Sequence, residues 1–253
     1  MANKYIDTDL LDRAIVFAVQ AHHNTERRGK GFPYIVHPME AVEIVATITS
    51  DQELLAAAAL HDTIEDTEVT VEQIREAFGE RVANLVHAES DQLVEGVPEQ
   101  DSWHQRKQAA IDRLAAASMD AKIVAMGDKL SNMRAIWRDY QVQGDALWNL
   151  FHVTDRASHE WHYRGLAASL SPLADTFAYR EFVRLIDEVF PHPTTNDQRL
   201  TTNDQRPTTF HSRSRRSRSV AGMRSLKLAG FRLPRKKSGA SGTGSITWSS
   251  TCF

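Results

Sequence analysis

Along the first 190 residues apolar positions recur at intervals of three and four, as in Leu10, Leu11, Ala14, Ile15 and Ala18 and again in Val71, Ile74 and Phe78, while strand-like alternation is scarce. That period turns one face of each segment to a core and predicts amphipathic helices. They are expected near 8–23, 38–49, 51–66, 71–78, 80–95, 102–117, 119–138, 145–152, 158–170 and 176–189, which makes residues 1–190 one all-α domain. Start signals agree: Asp51 precedes Glu53 and Leu54, Thr70 and Gln73 form a capping pair, and Pro172 stands ahead of the last segment.

The pattern stops after Phe190. Residues 191–253 begin Pro191-His192-Pro193, repeat Thr-Thr-Asn-Asp-Gln-Arg at 194–199 and 201–206, and alternate Ser with Arg from Ser212 to Ser219. Such a segment lacks the apolar surface needed to offset ordering entropy, so it is read as a disordered basic tail. Its repeat looks like a recent sequence accident. The tail is either a solvated extension or an arm for RNA or anionic lipid.

Composition and charge sharpen this division. The chain is 42% hydrophobic and 25% charged, the balance of a soluble globular protein. Its net charge of −3 hides a split: the tail holds 12 of the 30 Lys and Arg and 2 of the 33 Asp and Glu, leaving the body with 18 basic and 31 acidic residues, a net of −13. An acidic body is a poor general partner for nucleic acid, because phosphate contacts come chiefly from Lys and Arg. No run approaches the roughly 18 apolar residues of a membrane span, and the start lacks the order of a secretory signal, so the cytoplasm is the expected compartment. Cys252 is the sole cysteine, which excludes disulfide scaffolds and thiolate metal sites.

Any metal must therefore be held by His, Asp or Glu, and the body concentrates these. The alanine-rich run before His61 leads a buried helix into the adjacent pair His61-Asp62 and, one turn later, Glu65-Asp66. Residues four apart share a helix face, so His61 lies over Glu65 and Asp62 over Asp66. Burying imidazole and carboxylate without a cation would strand polar groups, and a divalent ion resolves this. His37 before Pro38, and Asp128 after Ile123-Val124-Ala125-Met126, complete a His₂Asp₂ set. Each piece has a plainer reading: His37 as a cap or core histidine, Asp128 as an arginine partner, Glu65 and Asp66 as helix-end caps, Arg27, Arg28 and Lys30 as a solvated loop, Trp161 and Tyr163 as core packing. Carboxylates at a helix C-terminus oppose its dipole, which favours a functional role for Glu65 and Asp66.

Taken in order, Pro33-Tyr34-Ile35-Val36-His37-Pro38, His61-Asp62-Thr63-Ile64-Glu65-Asp66-Thr67 and Gly127-Asp128-Lys129-Leu130-Ser131-Asn132-Met133-Arg134 resemble the HD-domain metal-dependent phosphohydrolases, and in particular the small alarmone hydrolases among the RelA/SpoT homologues. The likeness covers roughly the first 140 residues and fades toward 190. It implies an α-helical HD fold, one manganese ion, and release of pyrophosphate from the 3′ position of guanosine 3′,5′-bis(diphosphate) or its pentaphosphate form. By position, His37, His61, Asp62 and Asp128 match the metal ligands, Glu65 and Asp66 the acidic pair that activates water, and Asn132 a residue facing the nucleotide. Arg27 and Arg28 match an Arg-Lys pair beside the purine, with Lys30, Lys107, Lys129 and Arg156 expected to offset the diphosphates. Three features depart from the family: Arg28 replaces lysine, the Gly29-Lys30-Gly31 stretch is about one residue longer, and Gly127 stands where alanine is common. Other nucleotide substrates, and a module that binds a nucleotide without hydrolysing it, are the alternatives, and oligomeric state is not legible.

Overall fold

Seven consecutive residues, Leu54 to Leu60, are buried on every side in a computed structural model of the chain, which describes residues 7–27, 29–89 and 99–191. They form helix α3 (Gln52–Leu60), packed among α1 (Asp9–Ala21), α2 (Val36–Ala46), α6 (Glu80–Glu89) and α8 (Met119–Gln143). A helix apolar all round belongs inside, and its four alanines let neighbouring backbones approach closely. Asp51 caps it by accepting from Glu53 N–H at 3.0 Å, as its position in the sequence suggests.

The expected helix 51–66 is broken into α3 and a single turn, α4 (Thr63–Asp66). Side chains cause the break. His61 Nδ1 donates to the Ala58 carbonyl at 2.8 Å and Thr63 Oγ1 to the Leu60 carbonyl at 2.7 Å, satisfying acceptors that a continuing helix would have used. Helix α5 (Val71–Phe78) begins with a complete Thr70–Gln73 capping box. Helix α6 ends at Glu89, and residues 90–95 of its expected span lie outside the described residues. Helix α8 runs past the expected 138 to Gln143 and stops at Gly144, whose φ of 56° few other residues adopt. The expected helix 145–152 is a 3₁₀ segment, Gly144–Leu150.

Helix α8 joins two cores. One gathers α1, α3, α5 and α6 around Leu54, Leu60, Ile74, Val82 and Val86. The other gathers α8, α9 (Arg156–Ser169) and α10 (Phe177–Val189) around Met126, Met133, Leu166, Phe182 and Phe190. Tyr163 is buried against Phe182 and Phe190, as expected of a core residue. Helix α7 (Glu99–Ala116) lies on α9, and the buried Lys122 ammonium caps it through the carbonyls of Ala115 and Ala117, each at 2.9 Å. Helices α2 and α8 approach closely: a Cβ at Gly127 would sit 2.8 Å from Ala41 O and 2.9 Å from Val45 Cγ2. That contact brings Asp128 to the start of α2, where His37 stands. The described residues contain no strand, only an isolated bridge between Glu26 and Pro33, and no helix long and apolar enough to cross a membrane. Apart from Pro191, the expected tail lies outside the described residues, as does Arg28.

Candidate metal centre and its cavity

His37 comes from the first turn of α2, His61 and Asp62 from the break after α3, and Asp128 from the middle of α8. Their donor atoms converge. His37 Nε2 lies 3.2 Å from His61 Nε2, 3.2 Å from Asp62 Oδ2 and 3.1 Å from Asp128 Oδ1, while His61 Nε2 lies 3.0 Å from Asp62 Oδ2 and 3.6 Å from Asp128 Oδ1. Donors bonded to one ion at about 2.0–2.2 Å stand this far apart. Three of the four, His37, His61 and Asp128, form a buried group able to hold a metal ion.

The hydrogen bonds behind the rings decide which nitrogen faces inward. Ser131 Oγ donates to Glu40 Oε2 at 2.7 Å, so toward His37 Nδ1, 2.8 Å away, it accepts. The Ala58 carbonyl can only accept from His61 Nδ1. Both neutral imidazoles therefore carry their proton on Nδ1 and aim an Nε2 lone pair at the carboxylate oxygens. Four electron-rich atoms facing one another in a buried site need a cation or extra protons. Burial disfavours charge on His61, but Asp62 and Asp128 outweigh it and hold the imidazole well above its ordinary pKa. Burial likewise opposes charge on Asp62 and Asp128. His61 and His37 hold the first well below the usual carboxylate range, and Lys129 with the two histidines does the same for the second. A donor set that retains its negative charge in the interior suits a divalent ion.

Beside the cluster opens a cavity of about 740 Å³, walled by the break after α3 and by α4, α6, α7, α8 and α9. Glu65 lines it one turn beyond His61, and Lys107, Lys129 and Asn132 line it as well. Asp66 is half-buried and outside the wall. Asn132 Nδ2 donates to Asp128 Oδ1 at 2.6 Å, and its carbonyl accepts from Arg27.

Three expected contacts sit elsewhere. Arg27 is only 2% exposed and lies against the Tyr34 ring, not in the cavity wall. Lys30 pairs with Asp139. Arg156 donates to the Val189 carbonyl at 3.0 Å and covers the Phe190 ring, so its charge closes the end of α10 instead of entering the cavity.

Sequence reasoning missed several residues that matter here. Glu89 lines the cavity and meets Lys129 at 3.3 Å. Burial pushes its carboxyl above the usual range against the pull of Lys129. His162 also lines the cavity, packed against Trp103, and burial holds its ring well below the ordinary imidazole pKa. Ser131, three residues after Asp128 inside the quoted string, and Glu40, three after His37, were open to detection as helix-face neighbours of the ligands. Nothing local marks Glu89 or His162.

Comparisons with known proteins agree with the fold. The sequence profile described as the HD domain matches residues 14–150. A guanosine-3′,5′-bis(diphosphate) 3′-pyrophosphohydrolase of Aquifex aeolicus is 35% identical over 132 residues, half of this chain and 18% of that protein. Its namesake MESH1 of Danio rerio is 34% identical over 135 residues, 52% of this chain and 71% of that one. The chain thus spans under a fifth of the long relative and most of the short one. A solved metazoan ortholog of SpoT, described as hydrolysing ppGpp, shares the fold with a TM-score of 0.57 over 75% of this chain and 99% of its own, at 22% identity. A Listeria monocytogenes structure superposes with a TM-score of 0.54 at 26% identity, over 64% of this chain and 98% of that one.

Proposed function

The chain belongs to the HD domain family, and from that premise we propose that it hydrolyses guanosine 3′,5′-bis(diphosphate) and its pentaphosphate form to GDP or GTP plus pyrophosphate. The carrying observation is the convergence of two imidazole nitrogens and two carboxylate oxygens within 3.0–3.6 Å beside a 740 Å³ cavity. His37, His61, Asp62 and Asp128 would hold one divalent ion, with manganese our choice among the metals such mixed ligands accept. Such an ion, when bound, supplies charge neutralisation for phosphate oxygens and acidifies water.

The remaining work falls to the protein. Ser131 and the Ala58 carbonyl keep each Nδ1 protonated and each Nε2 lone pair free for the ion. Glu65, in the cavity wall one turn from His61, takes the proton from the attacking water. The water oxygen bonds to the phosphorus carried on the 3′ oxygen, the bond from that phosphorus to the 3′ oxygen breaks, and the 3′ oxygen takes the proton that Glu65 received, leaving a 3′ hydroxyl and free pyrophosphate. Asp66, outside the wall, has a supporting part at most in that step. Lys107, Lys129 and Asn132 are the cavity residues suited to phosphate and ribose oxygens. Arg27, Lys30 and Arg156 are not in this wall, and the reading does not depend on them. The reading makes 1–190 the hydrolase domain and 191–253 an appendage, and it requires the cytoplasm, where free guanosine nucleotides reside.

The test strips the full-length protein with chelator, restores Mn²⁺ and follows pyrophosphate release. Activity should vanish on stripping and return with metal. Glu65→Gln should keep the metal and lose about a hundred- to ten-thousandfold in turnover. A metal-loaded protein that releases no pyrophosphate from this nucleotide, or a Glu65→Gln variant at wild-type rate, overturns the assignment. A panel of other nucleotides then identifies the substrate.

A further inference from the structure

Arg27 and Tyr34 lie on opposite arms of a tight loop. The backbone pairs Arg27 N–H with Phe32 O at 3.0 Å and Tyr34 N–H with Thr25 O at 2.8 Å, and Gly29 and Gly31 turn the chain with φ of 67° and 73°. Both side chains turn inward: Arg27 is 2% exposed and Tyr34 4%. The guanidinium stands 5.2 Å from the centre of the tyrosine ring. From that pair two hydrogen-bonded routes reach the cluster. Tyr34 Oη donates to Asp62 Oδ2 at 2.7 Å, and Arg27 donates to Asn132 Oδ1, whose Nδ2 donates to Asp128 Oδ1. Asp62 Oδ2 and Asp128 Oδ1 are the same two oxygens that face the histidine nitrogens.

We propose that Arg27 and Tyr34 act together as a bracket that positions both aspartate donors of the metal centre. Arg27 is thereby a positioning residue behind the ligands. The inference rests on the metal-centre reading and not on the identity of the nucleotide.

His22 supports the bracket from the other side. Its ring stacks on Tyr34 with centroids 4.7 Å apart and planes at 27°. Neither ring nitrogen has a hydrogen-bond partner, so packing alone holds the imidazole there. Burial, only partly offset by Asp62, lowers its pKa to about 4 and keeps the ring uncharged at neutral pH. Tyr34 is thus clamped between a flat neutral ring and a flat cation, a geometry that leaves its hydroxyl little freedom except along the line to Asp62. Lysine in place of Arg27 cannot lie flat on the ring while donating to Asn132.

The experiment measures Mn²⁺ binding to the chelator-stripped full chain by calorimetric titration with no nucleotide present. Tyr34→Phe removes one hydroxyl, and Arg27→Met removes the charge and the Asn132 bond. Each should weaken Mn²⁺ binding about ten- to a hundredfold, the usual effect of losing a partner behind a metal ligand. Arg27→Lys should resemble Arg27→Met, and His22→Phe, which keeps a flat ring, should lie close to wild type. Wild-type Mn²⁺ affinity in a folded Tyr34→Phe and Arg27→Met overturns the bracket, as does an Arg27→Met that raises only the KM for nucleotide. Should Arg27→Met fail to fold, Tyr34→Phe decides alone. Wild-type protein that binds no Mn²⁺ overturns the metal centre itself, an outcome distinct from failure of the substrate assignment, which this titration does not touch.

Discussion

Single side chains in this protein do their work through the atoms behind the site. His37 is aimed by Ser131, Ser131 by Glu40, and Glu40 by Arg134 at 3.3 Å, which also holds Glu181 of α10. His22 has no such chain, and its unprotonated state carries a consequence for stability. Its native pKa of about 4 lies below the ordinary 6.5, so between those values the unfolded chain binds a proton that the native state refuses. Its contribution is therefore complete above pH 6.5 and is lost as pH falls toward 4. Between pH 7.5 and 5 this amounts to about 2 kcal/mol. Urea titrations at both values should show His22→Phe losing less stability than wild type by about that amount, and equal losses would mean that His22 does not carry the effect. Histidines 159 and 162, whose pKa values burial also lowers, should leave some acid sensitivity in the variant.

Elements are set against one another by a few close contacts. Gly127, which departs from the alanine common in the family it resembles, is accounted for by the crossing of α2 over α8, where the nearest atom is a backbone carbonyl that cannot swing aside. At Gly165, by contrast, an added Cβ meets only side-chain atoms of Ile111, Cδ1 at 2.5 Å and Cγ1 at 3.1 Å, which can give way by rotation. Alanine gains about 1 kcal/mol of helix propensity at either position, and overpacking costs about 1–3 kcal/mol. Against the rigid carbonyl the upper end of that cost applies, so Gly127→Ala should be destabilising by up to about 2 kcal/mol and weaken Mn²⁺ binding by displacing Asp128, while Gly165→Ala should be near neutral. Thermal melts of the two variants check this, and a Gly127→Ala as stable as wild type would remove the contact as the reason for glycine. The break between α3 and α4 belongs to the same scale. It was not legible in the sequence because no glycine or proline marks it, only a histidine and a threonine whose side chains take over backbone acceptors.

For the whole molecule, charge separates what packing has built. Arg81 ties the first turns of α3 and α8 to α6 through Asp51, Glu53 and Asp120, placing carboxylates where helix dipoles favour them. The arginine fork holds Asp51 below the usual carboxylate range. The body remains strongly acidic at −13 against +10 for residues 191–253. Removing 192–253 should leave pyrophosphate release within about twofold and abolish any salt-sensitive affinity for RNA, compared with the full chain across a salt series. Turnover that collapses on truncation would show that the division at 190 cuts through the working enzyme.

Helical period, caps and the ordered strings around His37, His61-Asp62 and Asp128 were enough for the sequence to determine an all-α body and the residue types of a metal centre. Those features are local, written in spacing along one chain. Tertiary structure alone decided which charged residues reach the cavity. Arg27 and Lys30 read as a solvated or substrate-facing loop, and Arg156 as a diphosphate contact, because a basic side chain looks alike in sequence whether it meets water, phosphate or a carbonyl. Their fates turned on where Tyr34, Asp139 and Val189 came to lie, and such meetings between distant residues depend on helix crossings that no local pattern encodes.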